Sequence, residues 1–210
     1  MSPIEVQPGV TLYPGWLDAG GQAALLDQLR SALRQSPLFT PRMPGSGAPL
    51  SVRMTNCGPL GWVTDAERGY RYQSFHPQTG KPWPPIPEAA LRAWTQIGGY
   101  GEPPQACLVN WYGPQARMGL HQDKDEEDLL APVVSLSLGD TALFRVGGPR
   151  RADPTRSFKL ASGDAMALSG PARLAFHGVD RILGGSCGLL AEGGRFNLTL
   201  RRVTKPGAPP

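Results

Sequence analysis

From residue 105 onward, eight short alternating or apolar runs separated by turn signals fit into about 100 residues. That spacing predicts a mostly β (α+β) chain built on a double-stranded β-helix, the cupin-like jelly roll. Two further observations support this class. Only two helix-length apolar stripes are legible, both before residue 100. Gly and Pro supply 27 and 23 of the 210 residues, a punctuation that favours strands and turns over long helices. The length predicts one compact unit. Its parts are an N-terminal support and cover (1–104), a jelly-roll core (105–203) and a Pro/Gly-rich tail (204–210) expected to fray.

The first helix is expected over 20–35. Leu25, Leu26, Leu29, Ala32 and Leu33 recur at helical spacing, Asp18 is placed to cap, and Pro37 stops the pattern. The second is expected over 87–97. Pro87 fits a first turn, Ala90, Leu91, Trp94 and Ile97 form a core-facing stripe, and Gly98-Gly99 ends it. Between them, 37–87 is dense in Pro and Gly and carries Trp62, Tyr70, Tyr72, Phe75 and Trp83 off any helical period. It reads as loops and short hairpins, either an irregular cover or a functional lid. The eight runs that follow are QACLVNWY, GLHQD, VVSLSL, ALFRV, SFKL, DAMALS, RLAFHGV and RFNLTLRRV.

Net charge is +4, spread evenly over the two halves, with one local basic run at Arg145, Arg150, Arg151, Arg156 and Lys159. This permits a polyanionic partner without requiring one. Cys57, Cys107 and Cys187 are odd in number and far apart, which argues against a disulfide framework or structural zinc and for a reducing compartment. The N-terminal residues do not read as a signal peptide, and no run of apolar residues is long enough to span a bilayer. A cytoplasmic protein with no membrane partner is expected, and nothing demands an oligomer, so a monomer is expected.

Three histidines are present. His121 and Asp123 form an H-x-D, which on a strand places both side chains on one face, with Gln122 pointing away. His177 follows in another strand-like run. Two imidazoles and one carboxylate on one side of an ion leave the opposite positions open, the facial triad of non-haem iron(II) oxygenases. The acidic run Asp125–Asp128 allows a metal-site reading or a solvated turn. His76, followed by Pro, reads as a loop residue. In RFNLTLR, strict alternation puts Arg195, Asn197, Thr199 and Arg201 on one face and Phe196, Leu198 and Leu200 on the other. If the apolar set packs on the helices, two guanidiniums point inward and need an anion. A dicarboxylate supplies one, matched by paired hydrogen bonds. In LVNWY, Asn110 and Tyr112 share a face directed at the same interior.

These motifs together resemble the AlkB family of oxidative dealkylases, over about residues 52–203. The segment NWYGPQARMGLHQDKDE (110–126) is similar to that family's iron-binding stretch. PVVSLSLG (132–139), RLAFHGV and RFNLTLR resemble its following strand, second histidine and 2-oxoglutarate motif. NCGPLGW (56–62) and KPWPPIP (81–87) resemble its nucleotide-recognition lid. The stretch 183–194 departs from the family pattern in being unusually glycine-rich.

The resemblance implies roles. His121, Asp123 and His177 would hold Fe(II). Arg195 would bind the distal carboxylate of 2-oxoglutarate, with Asn110, Tyr112, Asn197 and Arg201 seating the rest. Trp62 would stack on a flipped base opposite the His121 ring, Asp125 would accept from its exocyclic amine, and Tyr70 and Arg151 would contact the nucleotide. The spacing from Trp62 leaves Tyr72 as an alternative to Tyr70. The implied activity uses O2 and 2-oxoglutarate to demethylate 1-methyladenine and 3-methylcytosine in alkylated DNA, with RNA left open, releasing formaldehyde, succinate and CO2. Two rivals stand beside it. One is a hydroxylase or demethylase of the same chemistry acting on RNA, a protein or a small molecule. The other is a cupin-like binding module without turnover.

Overall fold

The computed structural model of the chain describes residues 2–207, and positions 208–210 of the expected tail lie outside them. In chain order the elements are β1 (Ile4–Gln7), β2 (Val10–Tyr13), α1 (Ala19–Gln35), β3 (Arg53–Cys57), β4 (Gly61–Asp65), β5 (Gly69–Gln73) and α2 (Glu88–Ala93), with a π-helical turn over Trp94–Gly98. They continue with β6 (Ala106–Tyr112), β7 (Met118–His121), β8 (Val133–Gly139), β9 (Thr141–Val146), β10 (Arg156–Leu160), β11 (Ala165–Leu168), β12 (His177–Leu183) and β13 (Arg195–Arg201). All eight predicted runs therefore contribute a strand. They make the two four-stranded halves of a jelly roll, β11-β8-β13-β6 facing β10-β9-β12-β7.

The larger sheet is wider than those runs predict. β1 and β2 extend it past β11, and β3 extends it past β6, to seven strands. The four residues of β1 and of β2 are too few for alternation to be read locally; β2 is a strand through pairing with β11, and β1 through pairing with β2. Two other expectations need correction. RLAFHGV is not one strand: Pro171 opens a single 3₁₀ turn at Gly170–Ala172, and β12 begins only at His177. Leu91 does not face the core. It is 39% exposed, while Ala89, Ala90, Ala93 and Trp94 are buried. That apolar arc is centred away from Leu91, and the Trp94 indole locks it by donating to Glu102 O at 2.9 Å.

α1 forms as expected. Asp18 Oδ1 accepts from Gly21 N at 2.7 Å, a cap that contributes about 1 kcal/mol. The buried face of α1, Leu25, Leu26, Leu29 and Ala32, packs with Val109, Leu136, Leu198 and Leu200 on the outer face of the large sheet. The alternation of β13 sends its other face, Arg195, Asn197, Thr199 and Arg201, into the space between the sheets. β6 divides likewise, with Cys107 and Val109 outward and Leu108, Asn110 and Tyr112 inward.

His76 is more than a loop residue. It is buried, its Nδ1 accepts from Gln78 N and Thr79 N, and so its Nε2 carries the proton and donates to Pro37 O at 2.8 Å. It thereby pins the two ends of the cover to each other. Among the described residues, no helix is long and apolar enough to cross a membrane.

Candidate metal centre and co-substrate pocket

His121 ends β7 and His177 begins β12, and they are direct cross-strand partners with ring centroids 4.5 Å apart. Asp123 was expected on the same strand as His121. The strand instead stops at His121, and Asp123 sits in the loop beyond it. The turn is held because Gln122 does point away, its amide donating to Leu174 O at 2.6 Å and Pro149 O at 3.2 Å. One potential ligand atom from each of His121, Asp123 and His177 lies within 4.8 Å of the others. The Nε2 atoms of His121 and His177 are each 3.9 Å from a carboxylate oxygen of Asp123.

The hydrogen bonds set the donor chemistry. Nδ1 of His121 lies 2.9 Å from Gly119 O, and Nδ1 of His177 lies 2.9 Å from Ala175 O. A carbonyl only accepts, so each Nδ1 carries the proton and each Nε2 offers its lone pair inward. Burial, with His121 beside it, pulls the His177 imidazole down to about 4, so it is neutral and free to ligate near pH 7. Burial alone would raise the Asp123 carboxyl; Arg201, then His177 and His121, outweigh it and hold the group well below the usual carboxylate range. The donor set is thus two imidazole nitrogens and one anionic oxygen.

Gly178 makes this approach possible. β7 and β12 pair at His177↔His121 and Val179↔Met118, with an irregularity between. A Cβ on Gly178 would stand 2.5 Å from Met118 O and 2.9 Å from Gly119 O. Gly178→Ala should push β7 away from β12, and overpacking of this kind costs about 1–3 kcal/mol. Differential scanning fluorimetry should show a lower melting temperature, and Co(II) titration should show weaker metal binding. An unchanged melting temperature would contradict the packing argument.

A cavity of about 640 Å³ opens beside the triad between the two sheets. Arg195 lines it, 1% exposed and, among the described residues, in no salt bridge with a carboxylate. Its guanidinium donates to Ser137 Oγ at 2.6 Å, Leu160 O at 3.0 Å and Asp140 O at 3.3 Å. Burial pulls it down to about 10, with Tyr112 and Asp164 opposing. Burial likewise pushes the Tyr112 phenol up to about 12, so it remains a neutral donor. Asn197 is committed to Leu136 O and the Thr199 hydroxyl. Arg201 also lines the cavity but pairs with Asp123 Oδ1 at 2.8 Å.

Among the described residues, four buried polar atoms on this cavity have no hydrogen-bond partner: Asn110 Oδ1, Asp123 Oδ2, Arg195 Nε and Arg201 Nε. Buried polar atoms are nearly always satisfied. Here the unsatisfied Asp123 Oδ2 lies 3.9 Å from His177 Nε2, with His121 Nε2 at the same distance from Oδ1, and a buried cation lines the same cavity. The residues present therefore fit a divalent metal and a small dianion.

Trp62, Tyr70, Asp125 and Arg151 line the same cavity on its cover side. Tyr70 stacks on Trp62 at 5.5 Å between ring centroids and 22° between planes. Tyr72, the alternative to Tyr70, turns inward and donates to Glu126. One oxygen of Asp125 accepts from the Trp62 indole at 2.7 Å. Arg151 donates to Leu120 O at 2.8 Å and lies over the Phe176 ring at 5.2 Å. The basic run is not a free stripe, since Arg145 pairs with Asp180 and Arg150 with Asp153. The glycine-rich 183–194 stretch contributes nothing to the cavity lining. Buried Asp140 pins it, accepting from Ser186 N, Cys187 N and Gly194 N.

Sequence reasoning missed Glu126 and Arg173. Glu126 and Asp128 of the acidic run are buried, not solvated. Arg173 donates to Glu126, to Ala131 O and to Asp123 O. The one available signal was an arginine four residues before His177 with an acidic run free to pair with it.

Comparison with known proteins agrees with this centre. Residues 9–201 match the 2OG-Fe(II) oxygenase superfamily. The chain is 56% identical over 201 residues to the alpha-ketoglutarate-dependent dioxygenase AlkB homolog of Caulobacter vibrioides, covering 96% of this chain and 90% of the relative. It is 43% identical to the alpha-ketoglutarate-dependent dioxygenase AlkB of Escherichia coli, over 86% and 84% of the two chains. Among solved structures, that of OsALKBH1 superposes with a TM-score of 0.76 at 32% identity, covering 96% of this chain and all of the other. The triad, the buried guanidinium and these relationships agree: the chain belongs to the AlkB family of 2OG-Fe(II) oxygenases, enzymes that require Fe(II), 2-oxoglutarate and O2.

Proposed function

We propose that this dioxygenase acts as a monomer to repair alkylated nucleic acid, removing the methyl group from 1-methyladenine and 3-methylcytosine in DNA. The observation that carries the reading is the aromatic cover: Trp62 and Tyr70 lie on the same cavity as the triad, with Asp125 and Arg151 at their side. Both lesions place the methyl on a ring nitrogen beside an exocyclic amine, and both disrupt pairing, which lowers the cost of taking the base out of a duplex. Trp62 offers a stacking face, worth about 1–3 kcal/mol for a base. Asp125 would accept from the exocyclic amine and Arg151 would meet a phosphate.

His121, Asp123 and His177 would hold the iron, and Arg195 the far carboxylate of 2-oxoglutarate. Asn110, Tyr112, Asn197 and Arg201 would surround its near end. Bound Fe(II), with 2-oxoglutarate and O2, supplies hydroxylation of the N-methyl group, with succinate and CO2 as co-products. The apolar wall of Leu108, Phe144, Met166 and Leu168 excludes water from that step. The hydroxymethyl group then leaves the ring nitrogen as formaldehyde.

The test is mass spectrometry of DNA and RNA oligonucleotides bearing 1-methyladenine or 3-methylcytosine, incubated with Fe(II), ascorbate and 2-oxoglutarate. Loss of one methylene mass, dependent on 2-oxoglutarate, is expected. Oligonucleotides that fail to stimulate succinate formation would instead favour a protein or small-molecule substrate.

A further inference from the structure

The β4–β5 hairpin is a two-stranded sheet of its own, laddered to neither half of the jelly roll. Val63 packs into the core and Asn56 of β3 clamps the Trp62 main chain, and a few side-chain bonds add to this hold. Two of these end on consecutive residues just past the carboxylate of the triad. The Trp62 indole donates to Asp125 at 2.7 Å, and the Tyr72 hydroxyl donates to Glu126 Oε1. Trp62 and Tyr72 are cross-strand partners, so one rung of the hairpin grips both.

Glu126 carries the connection inward. Its Oε2 is 3.0 Å from Arg173, and its Oε1 is 3.6 Å from Arg201 Nε. Arg201 reaches onward to Asp123 Oδ1 at 2.8 Å, while Arg173 donates to the Asp123 carbonyl. Two arginines that share Glu126 thus hold the side chain and the main chain of one metal ligand. Apolar packing could hold this loop with less desolvation. What an ionic set adds is orientation, because each partner's geometry is defined by the next.

We propose that Glu126 is a positioning residue through which the hairpin sets the orientation of Asp123, so that seating a base on Trp62 is coupled along Tyr72–Glu126–Arg201–Asp123 to the metal centre. The proposal rests on the nucleotide-binding reading of the hairpin. A base that stacks on Trp62 steadies the rung, the rung steadies Glu126, and fewer positions remain open to Asp123. Coupling between two binding events is reciprocal, so substrate should tighten metal binding as much as metal tightens substrate binding.

The experiment measures Co(II) affinity of the full chain with 2-oxoglutarate under nitrogen, with and without a saturating single-stranded DNA oligonucleotide bearing 1-methyladenine. In the wild type the oligonucleotide should tighten Co(II) binding about fivefold or more. Tyr72→Phe keeps the packed ring and deletes only the hydroxyl; without metal it should bind the oligonucleotide as the metal-free wild type does, yet show no tightening of Co(II) by the oligonucleotide. Glu126→Gln keeps the shape and removes the charge, and it should lose the same coupling and bind Co(II) more weakly even alone. Full tightening in Tyr72→Phe, or a wild type that binds the oligonucleotide without tightening, would overturn this proposal alone. A wild type that does not bind the oligonucleotide would overturn the nucleotide reading as well.

Discussion

Asp123→Ala should abolish 2-oxoglutarate turnover and should also destabilise the metal-free protein. Loss of the ion removes several kcal/mol of charge stabilisation, and at ~1.4 kcal/mol per tenfold this amounts to ~10³-fold or more. The stability effect has a separate origin. Arg201 is buried and bonded to Asp123 at 2.8 Å, and its second contact, with Glu126, is longer at 3.6 Å. Removing one partner of a buried pair costs about 3–5 kcal/mol, and the remaining Glu126 contact places this case near ~3. At ~2–4 °C per kcal/mol for a chain of this size, the melting temperature should fall by about 6–12 °C.

Two controls separate lost metal from lost folding. Asp123→Asn retains an oxygen that can accept from Arg201, so its melting temperature should fall less while turnover still disappears. With Mn(II) present, a chelator should lower the wild-type melting temperature, because a ligand bound only to the native state stabilises it by mass action. The chelator should leave both variants unmoved. A variant that keeps both turnover and chelator sensitivity would remove Asp123 from the centre.

What was legible in the sequence depended on whether the determining contact was local. The face sorting of 195–201 was readable because both faces are buried for different reasons, Leu198 and Leu200 against α1 and Arg195 and Arg201 against the cavity. The convergence of His121 and Asp123 was readable from spacing, although the strand ends between them and the turn at Gln122 produces it. Pairing across distant segments left no periodic trace. β2 is held as a strand by β11 beside it, and β1 by β2. Glu126 and Arg173 are 47 positions apart, and the arginine before His177 and the acidic run after Asp123 do not by themselves single each other out as partners. Local pattern likewise gave Leu91 to the core, but the packing of Trp94 decided its direction.

Arg195→Met should separate the co-substrate from the fold, with effects of opposite kinds. Its guanidinium is buried, forms no salt bridge among the described residues and is pulled down by burial despite the opposing Asp164, so the ligand-free protein bears the cost of a charge with no directly paired anion. A methionine of similar length fills the space without that cost, although Leu160 O and Ser137 Oγ lose a donor. These terms offset, and the melting temperature without ligand should stay level or rise. Binding should behave otherwise. Deleting one partner of a buried charge pair costs ~2–5 kcal/mol, so the apparent KM for 2-oxoglutarate should rise by about 30-fold to several thousandfold. Adding 2-oxoglutarate with Mn(II) should raise the wild-type melting temperature above the value with Mn(II) alone, and the variant should show no such increment. Arg195→Lys should fall between, because an ammonium keeps the charge and loses the two-pronged fit to a carboxylate. A variant that unfolds without ligand would mean the guanidinium is structural. One that keeps the 2-oxoglutarate increment would place the distal carboxylate elsewhere. Retained stability with lost increment is the result that this buried, unpaired cation demands.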